Sequence, residues 1–211
     1  MKIKEYKAIR ESGMELSGMI FKYAVENNKQ VIISTAKLLG FWDGKIMVFE
    51  SENDSETLMD FMVFEKSVQN DAAYQRFYNT APKLDDLQQV NMNGILNFHS
   101  SIFEVKSIDS KECTIVLEDL MDANQIEYIL MDIGMSKTAH AGFVLFTRLI
   151  PIRDVNMTSG VSFGFEKSNR DKLLSALSLA EFKKRRKLTK TELYILMNEK
   201  NKQYGVETRT E

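Results

Sequence analysis

The chain has very little of the residues that usually announce a function. It holds one cysteine, Cys113, among 211 residues. An intramolecular disulfide framework is therefore excluded, and a reducing compartment is the natural expectation. Two histidines, His99 and His140, are the only imidazoles. Neither they nor Cys113 fall into the close Cys-x-x-Cys, His-x-x-x-His or His-Glu-x-x-His spacings of a metal site, so no metal and no cofactor are expected. Two prolines and no low-complexity stretch leave no obvious linker. The basic start MKIKEYKAIRES is not followed by an apolar segment, as a secretory signal would require. No apolar run approaches the roughly 20 residues of a membrane span, because Arg148 and Pro151 interrupt the best candidate. A cytoplasmic protein with no membrane partner is the default expectation.

Catalytic patterns are missing as well. Neither a Gly-x-Ser-x-Gly elbow nor a glycine-rich phosphate loop occurs. The carboxylates Glu118, Asp119, Asp122 and Asp132 cluster near strand ends. Such pairs can serve acid–base chemistry, yet Asp beside a turn is first of all a hydrogen-bonding residue of that turn.

What is present is a change of period along the chain. Ile3, Tyr6, Ile9, Leu16, Ile20 and Tyr23 follow helical spacing up to Asn27-Asn28, with Gly13 and Gly18 as points where a helix would kink. Val31 to Leu39 is a short apolar segment open to helix or strand, with a helix ending before Gly40 the preferred reading, while Asp43-Gly44 is a hairpin dipeptide that leaves Lys45 to Glu50 open between hairpin and helix. Asp54 or Ser55, Asn70 or Asp71, and Asp85 are expected helix caps. Residues 1–99 thus read as a helical region.

From residue 100 the period becomes two. Phe103 and Val105, then Cys113, Ile115 and Leu117, then Ile126, Tyr128 and Leu130 alternate with polar or outward residues. Phe143 to Ile150 is almost continuously apolar. In the last run Val155, Met157, Ser159, Val161, Phe163 and Phe165 share one face, and the small Gly160, Ser162 and Gly164 lie on the other, which suggests tight bending or close backbone approach, as at a barrel corner. Five short strands from Ser101 to Phe165 predict a small antiparallel β-barrel over residues 100–166. Ser168-x-x-Asp171 and Thr189-x-x-Glu192 are capping signatures for two helices in a tail over residues 167–211, ended by Gly205, with the last six residues expected to fray. The fold class is therefore α+β: helical region, small five-stranded barrel, two C-terminal helices.

The strings Ser101-Ile-Phe-Glu-Val105, Leu117-Glu-Asp-Leu-Met121, Phe143-Val-Leu-Phe-Thr-Arg-Leu-Ile-Pro151 and Met157-Thr-Ser-Gly160 resemble a small barrel module of uncharacterised bacterial proteins. There the module follows a helical region and is sometimes associated with a SEC-C type zinc tail. The similarity covers about Asp60 to Phe165 and implies the fold. This chain lacks the cysteines such a tail needs, and Ala123 stands where the resembling module usually has glycine. No activity is implied.

Charge supplies the one sharp feature. Residues 167–211 hold 12 basic and 6 acidic residues, whereas the preceding 166 hold 16 and 24. Within the tail, Lys183, Lys184, Arg185, Arg186 and Lys187 are contiguous, with Lys190 and Arg170 nearby. Cations at a helix C-terminus favour its dipole, which explains some of them. The run also matches a phosphate-binding footprint, with the helix after Thr189 placed as in a helix-turn-helix. The leading expectation is a non-catalytic interaction module acting through protein–protein contacts or self-association. A nucleic-acid-associated protein using the six basic residues Lys183, Lys184, Arg185, Arg186, Lys187 and Lys190 is the alternative, and an enzyme with an unrecognised site the third.

Overall fold

A computed structural model describes residues 1–27, 30–66, 71–206 and 208. The described chain divides into two compact units, residues 1–98 with 150–152, and residues 99–149 with 153–211. Eight helices and a five-stranded mixed sheet are present among the described residues.

The first unit holds α1 (Ile3–Asn27), α2 (Gln30–Leu38), α3 (Glu52–Phe64), α4 (Ala73–Asn79) and α5 (Asp86–Leu96). In α1, Tyr6, Ile9, Leu16, Ile20 and Ala24 are fully buried at three- to seven-residue spacing, forming the stripe that anchors the unit. The helix runs through Gly13 and Gly18 without interruption, because burial of that stripe outweighs the roughly 1 kcal/mol that each glycine costs. Asn91 of α5 donates its Nδ2 to the carbonyls of Ile9 and Leu87, tying α5 to α1. Phe64, Tyr74 and Phe98 meet edge-on or tilted, with centroids 5.3–6.0 Å apart.

Val31 to Leu38 is helical, as its spacing predicts. Beyond it the hairpin dipeptide acts locally. Asp43 Oδ1 accepts the backbone N–H groups of Lys45 and Ile46, Gly44 takes a φ of 106°, and Trp42 bridges Met47. The cap of α3 is Ser51 rather than Asp54 or Ser55. Asp54 is the third helical residue, whose carboxylate reaches back to the Glu50 and Ser51 N–H groups in a capping box. Ala72, not Asp71, precedes α4, and Asn70 lies outside the described residues. Asp85 caps α5 as expected, accepting from the Gln88 N–H.

The second unit is built on β1 (His99–Asp109), β2 (Thr114–Asp119), β3 (Glu127–Met131), β4 (Val144–Ile152) and β5 (Val155–Phe165), with the short α6 (Met135–Thr138) before β4. Strand order is β1-β2-β3-β5-β4, and β4 pairs back to β1, so the sheet closes on itself. The expectation of a fully antiparallel sheet is corrected. β1–β2, β2–β3 and β1–β4 are antiparallel, whereas β3 and β5 meet in parallel at Leu130 and Asn156. The reason is parity: strand direction cannot alternate all the way round a closed ring of five, so one neighbouring pair must be parallel. The β3-α6-β4 excursion supplies the crossover that such a pair needs.

Inside the ring lie Phe103, Val105, Ile115, Leu117, Leu130, Met135, Phe143, Leu145 and Leu149. Ile126, expected on the inward face of β3, is exposed and precedes the strand. Cys113 is buried, but in the turn before β2, at a φ of 56°. The two faces of β5 do different jobs. A Cβ on Gly164 would come 2.7 Å from Cζ of Phe143, so the small face makes room for that core ring. The aromatic face meets the last helix, with Phe163 5.2 Å from the Tyr194 ring and Phe165 5.8 Å from Tyr204.

Two helices complete this unit, α7 (Arg170–Lys184) and α8 (Lys190–Tyr204). A single 3-10 turn over Lys167–Asn169 leads into α7 with Asn169 at the cap position, so the Ser168-x-x-Asp171 signature does not close as a capping box. Thr189 and Glu192 do form one at the start of α8. β4 is buried along most of its length, and part of its outer side lies against α8. Phe146 packs on Tyr194, and the guanidinium of Arg148, only 1% exposed, lies 4.8 Å from the same ring while donating to Ser100 Oγ. Gly205 ends α8 as expected. Val206 and Thr208, expected to fray, are instead bonded to β5. The remaining residues of that expectation lie outside the described ones.

Candidate binding surface

The basic run sits where α7 ends and α8 begins. Arg185 is the C-cap of α7 and takes the left-handed conformation, φ 55° and ψ 29°, its N–H returning to the Glu181 and Phe182 carbonyls. That reversal is what turns the chain toward α8. Glycine is the usual residue for such a cap, because a side chain there costs about 1 kcal/mol.

Three of the five contiguous cations are already engaged within the junction. Arg186 grips Glu192 with two parallel bonds, Nη1 to Oε2 at 2.7 Å and Nη2 to Oε1 at 2.8 Å. Lys184 Nζ reaches the same carboxylate at 2.9 Å, and Lys187 Nζ is 2.8 Å from Glu181. Arg186, the Thr189 N–H and Lys184 together hold the Glu192 carboxyl far below the usual carboxylate range, and the same pairing raises Arg186. The two acids therefore clamp the loop: the Glu192 carboxylate accepts the Thr189 N–H in the capping box of α8, and Glu181 also accepts the Leu188 N–H.

Lys183 and Arg185 are different. Both are exposed, and neither side chain makes an ion pair or hydrogen bond among the described residues. Phe182, which precedes Lys183 in the chain, is 81% exposed. With Glu181, Arg186 and Lys187 these residues line an open groove of about 660 Å³. Lys190 opens α8 and is exposed, but it is not among the residues that line the groove. Arg170 does not join them; it pairs with Glu104 at 2.9 Å and with Asp171. The sequence pattern gathers Lys183 to Lys187 correctly but misses Phe182, whose value as a signal lies in being an unburied aromatic beside unpaired charge.

A second polar cluster forms around Asp119, one of the carboxylates noted near strand ends, but its partners His99 and Ser101 are not paired with it by sequence reasoning. Asp119, almost fully buried at the end of β2, receives His99 Nε2 at 2.6 Å on one oxygen. Its other oxygen takes the Ser101 hydroxyl at 2.5 Å and the Met121 N–H at 2.8 Å. Burial opposes ionisation of Asp119, but these hydrogen bonds outweigh it and hold the carboxyl below its ordinary range. The His99 ring stacks on Tyr128 at 5.4 Å. Both Ser101 and His99 donate to the same carboxylate, so the histidine does not withdraw the serine proton, and a nucleophilic triad is not assembled. The only sequence trace is register: His99 and Ser101 alternate on β1, and Asp119 pairs opposite Phe103. Asp109, Asp122 and Asp132 accept backbone N–H groups of their own turns.

Among the described residues no three His, Cys, Asp or Glu side chains converge as metal ligands, and no helix is long and apolar enough to cross a membrane. Fold and surface together define an α+β protein with a closed mixed sheet and a basic helical junction. The chain belongs to a family of unknown function, DUF7986, whose model matches residues 1–211. No curated protein and no solved structure matches it.

Proposed function

We propose that the chain is a non-catalytic interaction module in which a small β-barrel carries a helix pair whose junction binds an acidic segment of a protein partner. The observation that carries this reading is the exposed Phe182, which lines one groove with Lys183 and Arg185, two cations unpaired among the described residues. An aromatic anchor flanked by Arg and Lys is the composition enriched at binding hot spots, and it complements a peptide bearing carboxylates around one apolar residue. Arg185 supports it further, since an arginine keeps a position where glycine would fit without strain.

Single-stranded nucleic acid is the second reading, favoured by the same exposed ring, which could stack on a base while Lys183 and Arg185 meet phosphates. Lys184, Arg186 and Lys187 are held by Glu192 and Glu181, so two cations rather than five are free for it. Anisotropy titrations separate the readings, using a labelled Glu-rich peptide with one leucine and a labelled oligothymidylate at two salt concentrations. The proposed function predicts peptide binding that is lost in the Phe182→Ala chain. Oligonucleotide binding with a log–log salt slope of about −1.4, the value for two phosphates on a single strand, together with no peptide binding, selects the second reading.

A further inference from the structure

Between α2 and α3 the helical unit displays an apolar run that its own fold leaves open. Ile46, Met47, Val48 and Phe49 follow one another in the chain, and each is between 40% and 62% exposed. Single apolar residues on a surface need no explanation, but four in succession mark a place of contact. The run is held in position. The Val48 N–H donates to the Phe41 carbonyl at 2.9 Å, Met47 bridges Trp42, and the Phe49 ring stands edge-on to buried Phe41 with centroids 5.6 Å apart. A segment ordered in advance has less conformational freedom to lose on binding.

Its charge is one-sided. Residues 43–60 hold six acids and a single base, Lys45. The Asp43 and Asp54 carboxylates accept backbone N–H groups of their own turn and helix cap. Glu50 and Glu56 are exposed, and neither side chain makes an ion pair or hydrogen bond among the described residues. Carboxylates beside an exposed apolar run are the ligand chemistry that suits the α7–α8 junction, where Phe182 lines one groove with Lys183 and Arg185. The chain thus carries both halves of one complementary contact.

We propose that the partner of the junction is a second copy of this chain, which presents its Ile46–Glu50 segment to Phe182, Lys183 and Arg185. The proposal rests on the junction being a site for acidic segments, and it names the segment. The two surfaces differ, so the contact is heterologous: each copy gives one half and can receive the other.

Sedimentation equilibrium of the full chain from about 1 to 200 μM, which spans weak contacts of this kind, is the test. Wild type should exceed the monomer mass as concentration rises. Phe182→Ala, which damages the junction, and the double variant Ile46→Lys/Glu50→Lys, which damages the segment at two exposed positions, should each associate at least about tenfold more weakly. Mixed in equal amounts, the two variants should form a one-to-one dimer, because the first brings an intact segment and the second an intact junction. A monomeric wild type, variants that associate as wild type does, or a mixture that stays monomeric would overturn the proposal. If the double variant fails to melt cooperatively, Glu50→Lys takes its place. The labelled Glu-rich peptide separates this proposal from the reading it rests on. A chain that binds the peptide but stays monomeric loses the second copy as partner and keeps the junction as an acidic-segment site. A chain that does not bind the peptide loses both.

Discussion

The ring interior and the α7–α8 junction solve opposite problems. Inside the ring, Phe103, Ile115, Leu117, Leu145 and their neighbours are wholly apolar and fully buried, and the polar groups at its edge, such as Asp119, are satisfied. At the junction the charges are satisfied only in part. Glu181 and Glu192 neutralise three cations and leave Lys183, Arg185 and Phe182 facing outward. The contrast teaches where stability and where recognition are expected to reside: the ring holds its shape irrespective of partners, and the junction keeps its unpaired groups on a loop that the two acids make rigid.

Substitutions that damage one region without the other are the way to break this contrast. The largest effect is expected from Leu117→Ala, which opens a cavity in the ring and should lower stability by about 2–5 kcal/mol in urea unfolding. Its folded fraction should bind the acidic peptide as wild type does. A loss of affinity per folded molecule would show that ring and junction are coupled.

Next comes Asp119→Asn. Replacing the carboxylate leaves weaker partners for His99 and Ser101 and should cost about 1–3 kcal/mol. The pH dependence has a definite sign. The folded-state carboxyl is held below its unfolded value, so its contribution is present above roughly pH 4 and is lost as pH falls through and below that point. Wild type should lose stability on acidification more steeply than Asp119→Asn in urea midpoints taken across this range. Parallel curves would remove Asp119 from the account.

The smallest stability changes belong to the junction. Lys183→Glu and Arg185→Glu, whose side chains have no partner to lose among the described residues, should move stability by no more than about 0.5 kcal/mol each while abolishing peptide binding. Glu192→Gln sharpens the comparison from the other side. It weakens the hold on Arg186 and Lys184, so affinity for the acidic peptide should rise and its salt dependence steepen in the same titration.

Much of the architecture is legible in the residues. The change from helical to alternating period near Ser100, the strand positions, the Asp85 cap and the Thr189–Glu192 box all appear where local chemistry places them. What is not legible depends on closure and on distant partners. The parallel β3–β5 pair follows from counting strands around a ring, which alternation within each strand does not reveal. The outward aim of Phe163 and Phe165 depends on α8 lying over β5, and the seating of Val206 depends on Gly164 some forty residues earlier. At the candidate surface, the basic run is plain in the sequence, but which cations are spent on Glu181 and Glu192 is decided by the turn at Arg185.

That turn offers the most direct test of the central claim, because stability and binding should there change in opposite directions. Arg185→Gly places the residue that a left-handed helix cap favours, and thermal and urea unfolding should show a gain of about 1 kcal/mol. The same substitution removes one of the two unpaired cations beside Phe182, so affinity for the acidic peptide should fall several-fold. A more stable chain that binds less tightly is the predicted result. A more stable chain that binds the peptide as tightly as wild type would contradict the assignment of the α7–α8 junction as the binding surface.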